Sequence, residues 1–242
     1  MYKTVLAIAL TTLSVVANAA DEAKSPWTSS AELGYVTTSG NTNTTSLNAK
    51  FDIAYEVEKW KHTGHAETLQ SNTRNVTTGQ DEETTHKSLV TYQSDYKFTD
   101  LDYAFGLLSY EEDKFSGYEY QAKGVAGYGR KINIRDDMTL NLEIGPGYRK
   151  FKEDFMPSDD DPFAYLAAKY GWKISPTSKF TEELTADYGD KQDEWKSITA
   201  LSANINSSLA MKLSFTAKYL DVVPAGNDHY DRETAVTLVY SF

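Results

Sequence analysis

Four histidines are the residues best suited to proton or metal chemistry in this 242-residue chain, and their spacing argues against both roles. His62 and His65 stand three apart in a segment without helical periodicity. On an extended chain they project to opposite faces and cannot share a metal ion. His86 falls near the end of a predicted strand and His229 in a predicted loop, so neither has a second imidazole beside it. Carboxylates are denser. Glu153, Asp154, Asp159, Asp160 and Asp161 crowd one loop, 153–162, and Ca²⁺ takes about six to eight such hard oxygens. The loop has neither EF-hand spacing nor a glycine at the required turn, so a solvated acidic loop is expected, with no metal and no cofactor. The chain has no cysteine, which excludes a disulfide scaffold and thiol catalysis.

The elements that would position these groups begin after a segment of different character. In residues 1–19 Lys3 is the only charge, and apolar residues run from Val5 to Leu10 and on through Leu13, Val15 and Val16. The segment ends in Ala17-Asn18-Ala19. A positive start, a short apolar run and an A-x-A site make a secretory signal peptide, with cleavage expected after Ala19. The run is too short for a membrane anchor. Residues 20–242 then form the exported part, and losing Lys3 moves the net charge from −11 to −12. That sign argues against a nucleic-acid partner.

No part of residues 20–242 approaches roughly 18 consecutive apolar residues, so helices cannot span a membrane here. Period two is the recurring signal. Leu47, Ala49, Phe51, Ile53, Tyr55 and Val57 alternate with Ser46, Asn48, Lys50, Asp52, Ala54 and Glu56. A strand puts these sets on opposite faces, whereas a helix would scatter them. About twelve such segments of roughly ten to fourteen residues follow one another, separated by turn signals. Their connections alternate between longer and shorter. Tyrosine, with 17 copies, suits strands and membrane–water boundaries, because its ring is apolar and its hydroxyl wants water. Charges on the apolar face, at Arg130, Lys150, Glu182 and Arg232, are read as lying near strand ends. There lipid tolerates them, whereas a midplane charge costs about 2–4 kcal/mol.

The expected fold is all-β: a transmembrane antiparallel up-and-down β-barrel of about 12 strands, placed in the cell outer membrane against lipid and lipopolysaccharide. A soluble barrel or sandwich is the competing architecture, and it would turn the apolar face inward. In the membrane barrel the other face lines a lumen. Lys50, Lys87, Lys97, Lys123, Lys131, Arg149, Lys169, Lys173, Lys196, Lys212 and Lys218 fall on it, countered by Asp52, Glu56, Glu67, Asp95, Glu119, Glu143, Glu183, Asp187 and Glu233. Interleaved signs suggest cross-strand pairs in a closed barrel, with a narrow, weakly selective solute channel as the alternative. A lipid hydrolase would need His and Ser facing lipid near the outer boundary, and His62 belongs to the opposite end.

Several stretches resemble a known family across essentially all of residues 20–242. They are Ala31-Glu32-Leu33-Gly34-Tyr35, the run Thr38-Ser39-Gly40-Asn41-Thr42-Asn43 continuing to Lys50, and Phe115-Ser116-Gly117-Tyr118-Glu119-Tyr120-Gln121-Ala122. Further ones are Ala126-Gly127-Tyr128-Gly129-Arg130, Gly145-Pro146-Gly147-Tyr148-Arg149 and the ending Glu233 to Phe242. The chain is similar in these to the YdiY-like salt-induced outer-membrane proteins, a family of unknown function. That resemblance implies an outer-membrane barrel, brings no catalytic residues, and suggests a tie to salt or osmotic stress. The terminal Phe242 after alternating apolar residues is also similar to the signal read by the barrel-assembly machinery.

Overall fold

The computed structural model describes residues 25–38, 43–74, 80–114, 116–224 and 228–242; the expected leader, 1–19, lies outside the described residues. Twelve strands follow in order: β1 Trp27–Thr38, β2 Asn43–Val57, β3 Trp60–Arg74, β4 Asp81–Lys97, β5 Asp102–Asp113 and β6 Tyr118–Arg135. The second half is β7 Met138–Glu153, β8 Asp159–Ser175, β9 Ser178–Gly189, β10 Glu194–Asn204, β11 Leu209–Leu220 and β12 Tyr230–Ser241. Each strand pairs antiparallel with its sequence neighbours, and β1 pairs with β12, so the sheet closes into a barrel. Closure removes the unpaired edges that a membrane would not tolerate.

Side-chain alternation sorts the two surfaces as expected for lipid. On β11 Leu213 is 50% exposed while the next residue, Ser214, is 7% exposed and faces the lumen. Leu33, Val90, Leu108, Ile144, Leu201 and Leu238 repeat the outward pattern on other strands. A soluble barrel would invert it. Aromatic rings gather at both rims: Trp27–Tyr55, Trp60–Tyr96 and Tyr240–Phe242 where the short turns lie, and Tyr110–Tyr120, Tyr188–Trp195 and Tyr219–Tyr230 at the other end. Such double girdles mark the two boundaries of a bilayer. Below, "turn end" is the rim with the short turns such as Glu58-Lys59, and "loop end" is the rim with the longer connections.

Five readings change. β8 begins at Asp159 rather than at Phe163, because Arg149, Lys150 and Phe151 of β7 pair with Asp161, Asp160 and Asp159 and draw the acidic stretch into the sheet. β3 and β4 likewise extend into the stretch 72–83, whose polar composition reads as a loop. Tyr118, which alternation with Tyr120, Ala122 and Tyr128 would put on the lipid face, is buried inside, because a register shift between Tyr118 and Tyr120 turns it over. The same bulge leaves Glu119 at the rim, paired with Lys152 at 2.6 Å rather than in the lumen. Glu182 lies four residues in from the start of β9, deeper than a strand end. There it accepts hydrogen bonds from the Ser197 and Thr199 hydroxyls at 2.7 and 2.6 Å.

The closing seam is short. Among the described residues β1 and β12 pair only from Ser30↔Ser241 to Leu33↔Leu238, while β1 pairs with β2 along its whole length. At the turn end Phe242 finishes the seam: its N–H donates to the Ser29 carbonyl at 3.0 Å, and its carbonyl accepts from the Ser29 N–H at 3.2 Å.

Candidate functional site in the lumen

The lumen is polar on most of its circumference and apolar on one wall. Phe105, Val125, Phe163, Tyr165 and Ala167 from β5, β6 and β8 form a buried cluster inside the barrel, with Tyr103 and Leu107 against it. Glycines make room for the rings. A Cβ at Gly129 would stand 2.2 Å from the Tyr103 ring, and one at Gly147 would stand 2.4 Å from Phe163. The rings therefore lie flat on the wall where the Ala126–Arg130 and Gly145–Arg149 motifs put a glycine at inward positions. The polar, charge-paired lumen expected from the sequence therefore carries one apolar wall as well. The signal was present in Phe163, Tyr165 and Ala167, which alternate with the outward residues of β8.

Beside that wall and around the rest of the lumen, the middle is lined by ionic contacts. Lys50 pairs with Glu67 at 2.9 Å, and His65 stands between Asp52 at 2.7 Å and Glu67 at 3.4 Å. Lys169 pairs with Glu143 at 2.9 Å, and Glu143 also accepts hydrogen bonds from Gln93 and from the Tyr103 hydroxyl. Lys212 reaches Glu32 at 2.7 Å. Nearer the loop end, Lys123 contacts Asp187 at 2.8 Å and Glu194 at 3.4 Å, while Lys218 joins Glu111 at 3.0 Å to Glu194 at 3.3 Å. Among the described residues Lys196 makes no direct pair there, although Glu67 and Glu111 lie within its electrostatic reach. Glu32, Glu111 and Glu194 had not been placed in the lumen from the sequence. They come from strands whose alternation was left unread on that face.

At the loop end, buried side chains of β7 and β8 meet the β9–β10 connection on the lumen side. Arg149 and Asp161 pair at 2.8 Å and are 1% and 0% exposed. The Arg149 guanidinium also donates to the Gln192 carbonyl at 2.6 Å. Asp161 accepts the backbone N–H groups of Asp190 and Lys191, which folds the β9–β10 connection inward. Gln192 then donates to the Tyr118 hydroxyl and to the Val222 carbonyl, both at 2.7 Å. Tyr118, Phe151 and Leu220, with Val223 against them, fill the space beside it. Gly189 is required by this closeness, since a Cβ there would meet an Asp161 oxygen at 2.2 Å. On the outer surface of the same connection, the hydrogen bond from Lys191 to Asp159 holds the lysine ammonium above its ordinary range.

The acidic cluster does not converge. Asp161 points inward to Arg149, Asp160 accepts the Tyr148 hydroxyl at 2.6 Å on the outside, and Asp159 takes Lys191. Glu153 ends β7, and Asp154 lies in the turn beyond it. Strand alternation separates what the sequence crowds together, and among the described residues no three His, Cys, Asp or Glu side chains are grouped to hold a metal ion. The histidines are equally scattered. His62 faces outward in the turn-end girdle, bonded to the Tyr92 hydroxyl at 2.8 Å and stacked on Trp60. Ser94 is its cross-strand neighbour. His86 bonds Glu83, and His229 meets the Leu220 carbonyl, each at 2.7 Å.

At the turn end the pattern changes. Lys61, Lys131, Lys173 and Lys179 face the lumen, and none has an ion pair within 4 Å among the described residues. Lys61 and Lys179 had not been placed there from the sequence.

The barrel is similar to solved outer-membrane proteins. It aligns to a COG4313 outer-membrane channel from Pseudomonas putida F1 with a TM-score of 0.53 at 10% identity, covering 89% of this chain and 95% of the other. It aligns to the NanC porin with a TM-score of 0.52 at 10% identity, covering 88% and 98%. At such identities the likeness concerns the fold. In sequence the chain is 29% identical over 222 residues to the uncharacterized protein YdiY of Escherichia coli (strain K12), covering 90% of this chain and 84% of that one. A model of the family described as "Protein of unknown function, DUF481" matches residues 31–242, and the chain belongs to that family.

Proposed function

We propose that this protein is a non-enzymatic barrel of the outer membrane, with its loop end at the cell surface and its lumen closed there by the Arg149–Asp161–Gln192 assembly. The burial of that assembly carries the reading. Arg149 and Asp161 are buried 2.8 Å apart, and separating such a pair leaves an uncompensated buried charge, so the closed arrangement resists opening. Lipid-facing aliphatic strands, two aromatic girdles and the likeness to outer-membrane barrels support the location. His62 supports the non-enzymatic reading, because its Nδ1 is engaged by Tyr92 and it lies at the end away from the proposed cell surface. The tie to salt stress rests on the family resemblance alone, and barrel abundance in cells grown at low and high salt tests it.

Planar-bilayer recording on the refolded protein tests the closed lumen. Brief, rare openings or none are expected, and sustained conductance steps from a verified barrel would overturn the reading. The narrow solute channel is the second reading, and the ionic lining beneath the lid favours it. In that case the wild-type barrel conducts, because the lid opens without any mutation.

A further inference from the structure

Most lysines that line the middle of the lumen are matched by a carboxylate, and the turn-end lysines depart from this. Lys173 of β8 and Lys179 of β9 are direct cross-strand partners, both inward and both solvent-exposed. Like charges directly opposite each other destabilise a sheet, so such a pair is retained against its own repulsion. The next partner of Lys179 along the row is Ser202, and the partner of Ser202 is Lys212. Of these three lysines only Lys212 is neutralised, by Glu32. Lys61 and Lys212 come within electrostatic reach of Lys179, and Lys61 and Lys131 within reach of Glu56.

The carboxylates nearest Lys173 and Lys179 are engaged or remote, whereas Lys61 has Glu56 and Asp95 as its cross-strand partners. Glu56 is taken by Lys97, and Glu32 by Lys212. The Asp137 carboxylate accepts from the Trp172 indole N–H and pairs with Arg135. Asp95 sits opposite Lys61 and accepts from Gln93. Glu183 lies four residues deeper along β9 than Lys179, which is about 13 Å of strand. This basic vestibule is open to water at the turn end, where Lys173 and Lys179 are exposed.

We propose that the vestibule binds a small multivalent anion carrying phosphate or carboxylate groups, held by Lys173 and Lys179 with Lys61 and Lys131 completing the ring. A multivalent anion is favoured because two adjacent ammonium groups give it two charge-assisted hydrogen bonds at once. The site does not depend on whether the barrel conducts. Binding is read by titration and closure by conductance, so failure of one leaves the other standing.

Calorimetric titration of the full, folded barrel in zwitterionic detergent at low ionic strength, with inorganic pyrophosphate as the probe, tests this. Saturable binding is expected, weakened about tenfold or more in the double variant K173Q/K179Q, which removes both charged donors. K152Q at the loop-end rim should bind as the wild type does. Absence of saturable binding, or equal binding by the double variant, overturns the proposal. So does an equal loss in K152Q. If the double variant does not fold, acetylation footprinting of the wild-type barrel decides: pyrophosphate should shield Lys173 and Lys179 but not Lys152, and no selective shielding overturns the proposal.

Discussion

The two ends of the lumen treat charge in opposite ways. At the loop end, Arg149, Asp161, Asp187, Glu194 and Lys218 are buried, and each lies within 4 Å of an opposite charge. At the turn end, Lys173 and Lys179 are exposed and sit side by side without a carboxylate. Burial explains the difference. Removing a charge from water costs several kcal/mol unless a partner and hydrogen bonds replace the lost hydration, so a closed end must pair its ions. Where water still reaches, the same side chains can stay unpaired and available. One end of the lumen therefore pairs its buried ions, and the other leaves adjacent ammonium groups exposed.

The strongest way to break this comparison is Arg149→Met. It strands Asp161 and the Gln192 carbonyl without their main donor, and breaking a buried pair in this way costs about 3–5 kcal/mol. Urea unfolding of the detergent-folded barrel should show that loss. The double change Arg149→Met with Asp161→Leu should recover much of it, because no orphaned charge remains. A single-variant loss near zero would mean that the loop end is as loosely organised as the turn end, and the contrast would disappear.

A smaller effect sharpens the same point. Phe163 lies between the wall and the lid: a Cβ at Gly147 would press on its ring, and the Arg149 guanidinium sits 5.4 Å from the ring centroid. Gly147→Val should cost about 1–3 kcal/mol by overpacking, measured by the same unfolding. It should also disturb the lid through Phe163. Loss of stability with an undisturbed lid would show that the apolar wall and the lid are independent.

The barrel itself was legible because lipid imposes period-two alternation on most strands, most clearly β2 and β11, and because short turns separate the strands. Features that depend on partners distant in sequence were not. Nothing near Tyr118 announces the register shift that turns it inward, since a bulge is set by pairing with β7. Gln192 reads as a polar loop residue until Arg149, Tyr118 and Val222 from three other parts of the chain converge on it. Asp159, Asp160 and Asp161 look like one cluster, yet alternation sends neighbours to opposite faces, a consequence available only once the strand is known to start there. Lys173 was placed in the lumen correctly. That its neighbour would be another lysine needed the β8–β9 register.

The smallest expected effect is the most discriminating, because its sign is unusual. Removing an ion-paired lysine from the loop half should destabilise, whereas K173Q/K179Q should change stability by no more than about 0.5 kcal/mol and in the stabilising direction, since a repulsion between exposed charges is relieved. Salt offers an internal control. Repulsion between exposed groups is screened over about 10 Å at 0.1 M and about 3 Å at 1 M, so the advantage of the double variant should shrink as salt is added. Unfolding in urea at low and high salt measures it. A clear destabilisation at both would mean that these lysines are held by partners as the loop-end ions are, and the two ends would then follow one rule.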